Sequence, residues 1–271
     1  MPKSHLITYS VREVAPYISW GYFAHAWSLH GAAAQSAEAE SLMADARRML
    51  EAMQDQVRAE SLYRLCTAWA DGDDIVAGGT RIPLLRQQEP HADGGPLLCL
   101  SDFIRPVESG IPDRIGLFAT TVHSRLAFPD DAYLNLLHQT LLDRLAEAAT
   151  EAMHAHVRRV AWGYAPNEHL AMDDLLAGRY QGIRPAVGYP SLPDQSINFI
   201  LDSLLDMQRI GIRLTENGAM HPHSSVSGLM LAHPASRYFS VGRIGWDQLQ
   251  DYARRRGLPI DVMQKYLAAN L

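Results

Sequence analysis

The chain has 271 residues, 47% of them apolar and 20% charged, and a formal net charge of −6 at neutral pH. These are the values of a folded globular protein with room for a full core, and they exclude a disordered chain. The negative balance, relieved only by short runs such as Arg254-Arg255-Arg256, argues against a nucleic-acid surface.

Two cysteines, Cys66 and Cys99, make neither a disulfide framework nor a zinc site and read as buried thiols in a reducing compartment. The opening "MPKSHLITYSVREVAPY" has no apolar signal core, and no uncharged run is long enough to span a bilayer, so a cytoplasmic protein without membrane contact is expected. Among the 12 histidines, His154 and His156 stand two apart, as do His221 and His223, but neither pair has further ligands nearby and there is no H-E-x-x-H. No metal site is expected.

Along the chain, "ISWGYFAHAWSLHG" (18–31) gathers the aromatics Trp20, Phe23 and Trp27, which predict that residues 1–60, read as a helical N-terminal part, pack on the body. "SAEAESLMADARRMLEAMQDQV" (36–57) spaces Leu42, Ala46, Leu50 and Met53 as one face of a helix. Short apolar runs at 96–104 and 114–122 read as strands. A longer helix is predicted over 131–160, with the stripe Leu134, Leu137, Leu141, Leu145 and Ala148 behind an acidic start.

The loop "GIRPAVGYPSLPDQS" follows. Pro185, Pro190 and Pro193 fix its shape, while Gly182 and Gly188 admit backbone conformations and close approaches that other residues forbid. It reads either as a surface connection or as a ligand clamp with Arg184 as anion anchor. Helices are then predicted over 196–209, 246–256 and 259–268, with Gly257 as a helix stop, and strands over 225–233 and 238–244. Strands and helices do not alternate regularly, and no G-x-G-x-x-G follows a strand. The reading is therefore an α+β domain spanning 1–271, with a largely antiparallel sheet flanked by long helices, rather than a dinucleotide fold.

Several ordered stretches carry a more specific likeness: "RVAWGYAPNE" (159–168), "YQGIRPAVGYP" (180–190), "RLTENGAM" (213–220), "SVSG" (225–228), "HPASRYFSV" (233–241) and "DYARRRG…YLAANL" (251–271). With looser matches at 18–31, 82–88 and 99–104, the chain resembles the activation (AdoMet-binding) domain of cobalamin-dependent methionine synthase over nearly its whole length. The resemblance implies a single helmet-like domain and a pocket for S-adenosylmethionine as substrate. It implies that Arg184 pairs with the methionyl carboxylate, a task suited to a planar fork of donors. It also implies that the loop backbone at Pro185, Ala186 and Gly188 approaches the adenosyl part, that Tyr189 borders the sulfonium, that Glu147 takes the ammonium, and that Tyr238 and Phe239 stand at the pocket. Phe239 replaces a family tyrosine, and Ser19 replaces a family aspartate that contacts the ligand.

His25, His221 and His223 also depart from the family pattern. They read either as solvated loop histidines or as an installed general base, with Tyr189 the remaining catalytic candidate. Two functions follow. In one, a stand-alone enzyme removes the α-proton of AdoMet and displaces at Cγ, releasing methylthioadenosine and 1-aminocyclopropane-1-carboxylate, with no bound cobalamin or pyridoxal phosphate. In the other, the chain, which has no Asp-x-His-x-x-Gly cobalamin signature, acts in trans and donates the AdoMet methyl to cob(I)alamin of a separate methionine synthase core. The departures together favour the first by a small margin.

Overall fold

The computed structural model describes residues 3–29, 31, 36–90, 94–127 and 130–271. Strand β1 (His5–Ser10) runs directly into α1 (Val11–Val14); the Ser10 hydroxyl accepts from the Glu13 amide while the Glu13 carboxylate accepts from the Ser10 amide, a reciprocal cap that ends the strand. Ser19 caps α2 (Trp20–Ala26) and Ser36 caps α3 (Ala37–Ala52) from one side only, each hydroxyl accepting from the amide three residues on. Then come β2 (Val57–Asp71), β3 (Asp74–Ala77), β4 (Thr80–Pro83), β5 (Asp113–Ser124), the long α4 (Ala132–His156) and the short α5 (Met172–Leu176). The chain finishes with α6 (Ile197–Leu205), the brief strands β6 (Arg213–Leu214) and β7 (Met220–His221), β8 (Ser225–Met230), α7 (Trp246–Arg256) and α8 (Ile260–Tyr266). No helix among the described residues is long and apolar enough to cross a membrane.

The sheet is antiparallel throughout, in the order β4-β3-β2-β5-β8 with β1 added on β2. Strand β2 is its spine. One edge pairs with β5 from Val57 to Ala68, and the other is shared between β1, at Arg58 to Tyr63, and β3, at Ala68 to Asp71. The period-two alternation of strands sends Leu62, Cys66, Ala68 and Ala70 to one face, where Ile115, Leu117 and Leu229 join them under α6. The opposite face carries Tyr63, Phe118, Val226 and Met230 against Met153 and Val157 at the end of α4, and Ala59 and Val122 against Leu141, Leu145 and Ala149 of the same helix. Helix α4 therefore lies across one face of the sheet and runs toward the β8 edge, and that placement builds the site.

The α+β reading with an antiparallel sheet holds, but several elements differ from expectation. The N-terminal 60 residues are not helical throughout, because β1 and the first residues of β2 belong to the sheet. The predicted strand 96–104 is instead a short 3-10 turn, Leu100–Phe103, fixed by the Asp102 carboxylate accepting from the Cys99 amide at 2.8 Å. Segment 238–244 forms no strand and joins no ladder. The helix predicted to reach residue 160 changes pitch at 157, where a wider turn over Val157–Ala161 closes with the Trp162 amide donating to the Val157 carbonyl at 2.9 Å. That turn carries Arg158 fully into the interior.

Candidate functional site

The loop that holds Arg184 lies along the free edge of β8 as an added strand. The Ile183 amide donates to the Leu231 carbonyl and the Leu231 amide returns to the Ile183 carbonyl, both at 2.9 Å; the Leu229 amide donates to the Pro185 carbonyl at 3.0 Å and the Val187 amide to the Ser227 carbonyl at 2.9 Å. Pro185 stands between Ile183 and Val187, whose amides both donate to β8, so its missing N–H leaves one ladder bond unmade, a gap that an edge segment tolerates. The approach is so close that a Cβ on Gly228 would lie 2.2 Å from the Pro185 carbonyl oxygen and 2.9 Å from Ala186 Cα. Ala186 is buried against Tyr63, Phe118 and Met153. A tight turn follows, with the Gly188 amide donating to the Leu192 carbonyl and the Leu192 amide to the Tyr189 carbonyl, each at 2.8 Å. Gly188 holds φ +86° and a side chain there would meet nothing within 4 Å, so its backbone faces open space.

Against this edge α4 sets Glu147 and Glu151, one turn apart on one face. The Arg184 side chain, only 16% exposed, lies between them. Its Nε and Nη2 donate to Glu151 Oε2 at 3.2 and 2.9 Å, while Nη1 stands 3.6 Å from Glu147 Oε2. Burial alone would lower the guanidinium pKa, but Glu151 and Glu147 override it and hold the group charged. Two phenols border the guanidinium. The Tyr238 hydroxyl accepts from the Arg184 amide at 3.0 Å, and the Tyr189 hydroxyl donates to Glu147 Oε1 at 3.1 Å. Both rings are about half exposed. The Glu147 charge, then burial, pushes the Tyr189 phenol up to about 12, so it is a neutral donor near pH 7 and a poor base.

Beneath Glu151 lies a buried polar brace. The Arg158 guanidinium donates to both oxygens of Glu168, Nε to Oε2 at 2.9 Å and Nη2 to Oε1 at 2.7 Å, and stacks 3.7 Å from the centre of the Tyr180 ring. Its Nη1 lies 2.9 Å from His154 Nδ1 and 3.6 Å from Glu151 Oε1. The Tyr180 hydroxyl donates to Glu151 Oε2 at 3.3 Å. Burial and then Arg158 and Arg184 drive the His154 pKa well below its ordinary value, leaving a neutral imidazole whose Nδ1 accepts from Arg158.

The structure thus brings Arg184, Pro185, Ala186, Gly188, Tyr189, Glu147 and Tyr238 together at one sheet edge. Other expected residues have different partners. Phe239, next to Tyr238, packs against the apolar clusters of the interior. Ser19 spends its hydroxyl on capping α2, accepting from the Tyr22 amide at 3.4 Å. Helix α2 carries an exposed His25, and Trp27 at its end meets Tyr133 edge-on at 5.6 Å, which is 14 residues, or about 21 Å, before Glu147 along α4. The loop bearing His221 and His223 comes nearer, since Ser224 donates to Asp143 at 2.6 Å one turn before Glu147. Yet both imidazoles face solvent. Glu151, His154, Arg158, Glu168 and Tyr180 were missed, although Glu151 follows Glu147 at helical spacing and Glu168 ends the "WGYAPNE" stretch.

With this geometry in view, comparison with known proteins defines the class. A family model described as vitamin B12 dependent methionine synthase, activation domain, matches residues 10–257. A crystal structure of the MetH reactivation domain bound to AdoHcy matches with a TM-score of 0.89 and 36% sequence identity, over 99% of this chain and 90% of that one. The chain belongs to the activation-domain family of vitamin B12 dependent methionine synthases.

Proposed function

We propose that this domain binds S-adenosylmethionine along the 183–189 edge and presents its methyl group to cobalamin carried by a methionine synthase core. The observation that carries this reading is the placement of a largely buried guanidinium, a carboxylate and two half-exposed phenols around an open backbone edge. Arg184 suits an amino-acid carboxylate, and Glu147, already a hydrogen-bond acceptor at the mouth, suits the ammonium on the same carbon. The open space at Gly188 leaves backbone for the adenosyl part to lie against. The similarity to a domain bound to AdoHcy, the demethylated product of such a transfer, supports the same assignment.

The γ-displacement reading lacks support in the geometry. A general base must come within hydrogen-bond reach of the proton it takes. Tyr189 is protonated near neutrality, and His221 and His223 are exposed. What the residues at this edge supply is binding and orientation, with transfer left to the reduced corrinoid.

The test has two parts. Arg184→Ala should weaken AdoHcy binding by about 2–5 kcal/mol in calorimetry, because it strips a buried carboxylate of its partner. Wild-type protein incubated with AdoMet alone should leave it intact, and adding a methionine synthase core carrying cob(I)alamin should yield AdoHcy. Methylthioadenosine released by the protein alone would overturn the assignment in favour of the lyase.

A further inference from the structure

The two oxygens of Glu151 are used unequally. Oε2 accepts three donors, Arg184 Nε at 3.2 Å, Arg184 Nη2 at 2.9 Å and Tyr180 Oη at 3.3 Å. Oε1 accepts none and is closed to solvent, with Arg158 Nη1 at 3.6 Å as its nearest cation. A carboxylate oxygen in that position cannot reach an incoming molecule. Leaving a buried oxygen without a hydrogen bond is unfavourable, so the arrangement is not one that stability alone would select.

What the carboxylate does is decide which side of the guanidinium is free. A guanidinium offers a side edge, Nε with Nη2, and an end fork, Nη1 with Nη2, and either can hold a carboxylate through two parallel bonds. Glu151 fills the side edge. The end fork stays open, on the side of Glu147, whose oxygen at 3.6 Å from Nη1 is too far for a hydrogen bond. Glu151 is in turn immobile, because Tyr180 holds it and Arg158 backs it. Arg158 is pinned by the bidentate Glu168 and by His154.

We propose that Glu151 is the positioning residue of this site, orienting Arg184 so that its end fork meets the carboxylate of an α-amino-acid ligand, with the Glu168–Arg158–Tyr180 brace fixing Glu151 itself. The assignment rests on the AdoMet reading above and gives a task to Glu168, the last residue of the "WGYAPNE" stretch. Its signature is selective, since only ligands that carry the carboxylate depend on how Arg184 is turned.

The experiment is calorimetry of full-length wild type and Glu151→Gln with two ligands, AdoHcy and methylthioadenosine, the second lacking the amino-acid carboxylate. Glu151→Gln should bind AdoHcy about tenfold more weakly, the value of one hydrogen bond to a charged group, while its affinity for methylthioadenosine stays within about twofold. Equal losses for both ligands would show a merely structural role and overturn the proposal. Tighter AdoHcy binding would show Glu151 to be a competitor for Arg184 and overturn it as well. If Glu151→Gln does not fold, Glu151→Asp keeps the charge and shortens the reach, and the same selective loss is expected. A cycle with Arg184→Lys gives a second readout: Glu151→Gln should add little in that background, and full additivity counts against the proposal. Wild type that binds neither ligand would reject the AdoMet reading itself, a result distinct from wild type that binds both while Glu151→Gln fails to discriminate.

Discussion

At the scale of single residues, the brace under the clamp links the site to the stability of the fold. His154 has no exposed surface and lies against Arg158, with Arg184 also near, so burial and both cations keep it neutral in the folded state. In the unfolded chain it titrates near 6.5. A group whose folded pKa is depressed adds stability above its unfolded pKa and loses it as pH falls, because the unfolded chain takes up a proton that the folded one refuses. Between pH 7.5 and 5.5 the loss from this residue is at most about 1.4 kcal/mol. Glutamine keeps an acceptor for Arg158 and does not titrate. Urea denaturation of His154→Gln at pH 7.5 and 5.5 should therefore show an acid loss about 1 kcal/mol smaller than wild type. Equal acid losses in the two proteins would mean that His154 is protonated inside the fold.

At the scale of elements, the site is a matter of strand addition. The clamp is a stretch of loop hydrogen-bonded along β8, and the contact at Gly228 sets how close it lies. Gly228→Ala places a methyl 2.2 Å from the Pro185 carbonyl oxygen, where backbone rather than a flexible side chain must give way. The expected cost is about 1–3 kcal/mol of stability, with AdoHcy affinity reduced as the edge shifts away from Glu147. Unchanged melting and unchanged binding would show that the loop does not depend on that approach. The prolines and glycines that shape this loop were legible in the chain, as were α3, α4, α7, α8 and the cores of β5 and β8. The spine β2 was not, because the alternation that Val57 to Glu60 begin lapses over Ser61–Arg64, four consecutive buried residues with polar ends, and the helix before it runs almost to its start. The stretch 238–244 has strand composition but no free ladder to join, and its Val241 amide donates to the Pro190 carbonyl instead. Nor was the brace legible: Glu151, Arg158 and Glu168 are charged residues of a kind that on most helices and loops face water, and only the widened turn at 157 buries the arginine.

At the scale of the whole molecule, the N-terminal residues are proposed to be part of the same cooperative unit as the site. Six residues of β1 pair with β2, the strand that also pairs with β5, so the first strand shares a ladder with the centre of the sheet. Val11, Val14, Ile18 and Phe23 are buried in the cluster that includes Leu137, Leu141 and Leu145 of α4, the helix that carries Glu147 and Glu151. Ser4 ties the start of the chain to α6, donating through its hydroxyl to the Leu205 carbonyl at 2.9 Å and accepting from Arg209 at its own carbonyl at 3.1 Å. Removing residues 1–60 would strip β1, cut into β2 and expose one side of α4. Amides of β1 should thus exchange with solvent only through the opening that frees those of β5, at the same free energy, because elements that share a ladder and a core open together. Limited proteolysis should degrade the chain without leaving a stable fragment that begins after residue 60. A surviving fragment that still binds AdoHcy, or β1 amides that exchange several kcal/mol earlier than those of β5, would divide the molecule into an N-terminal cover and an independent site-bearing body.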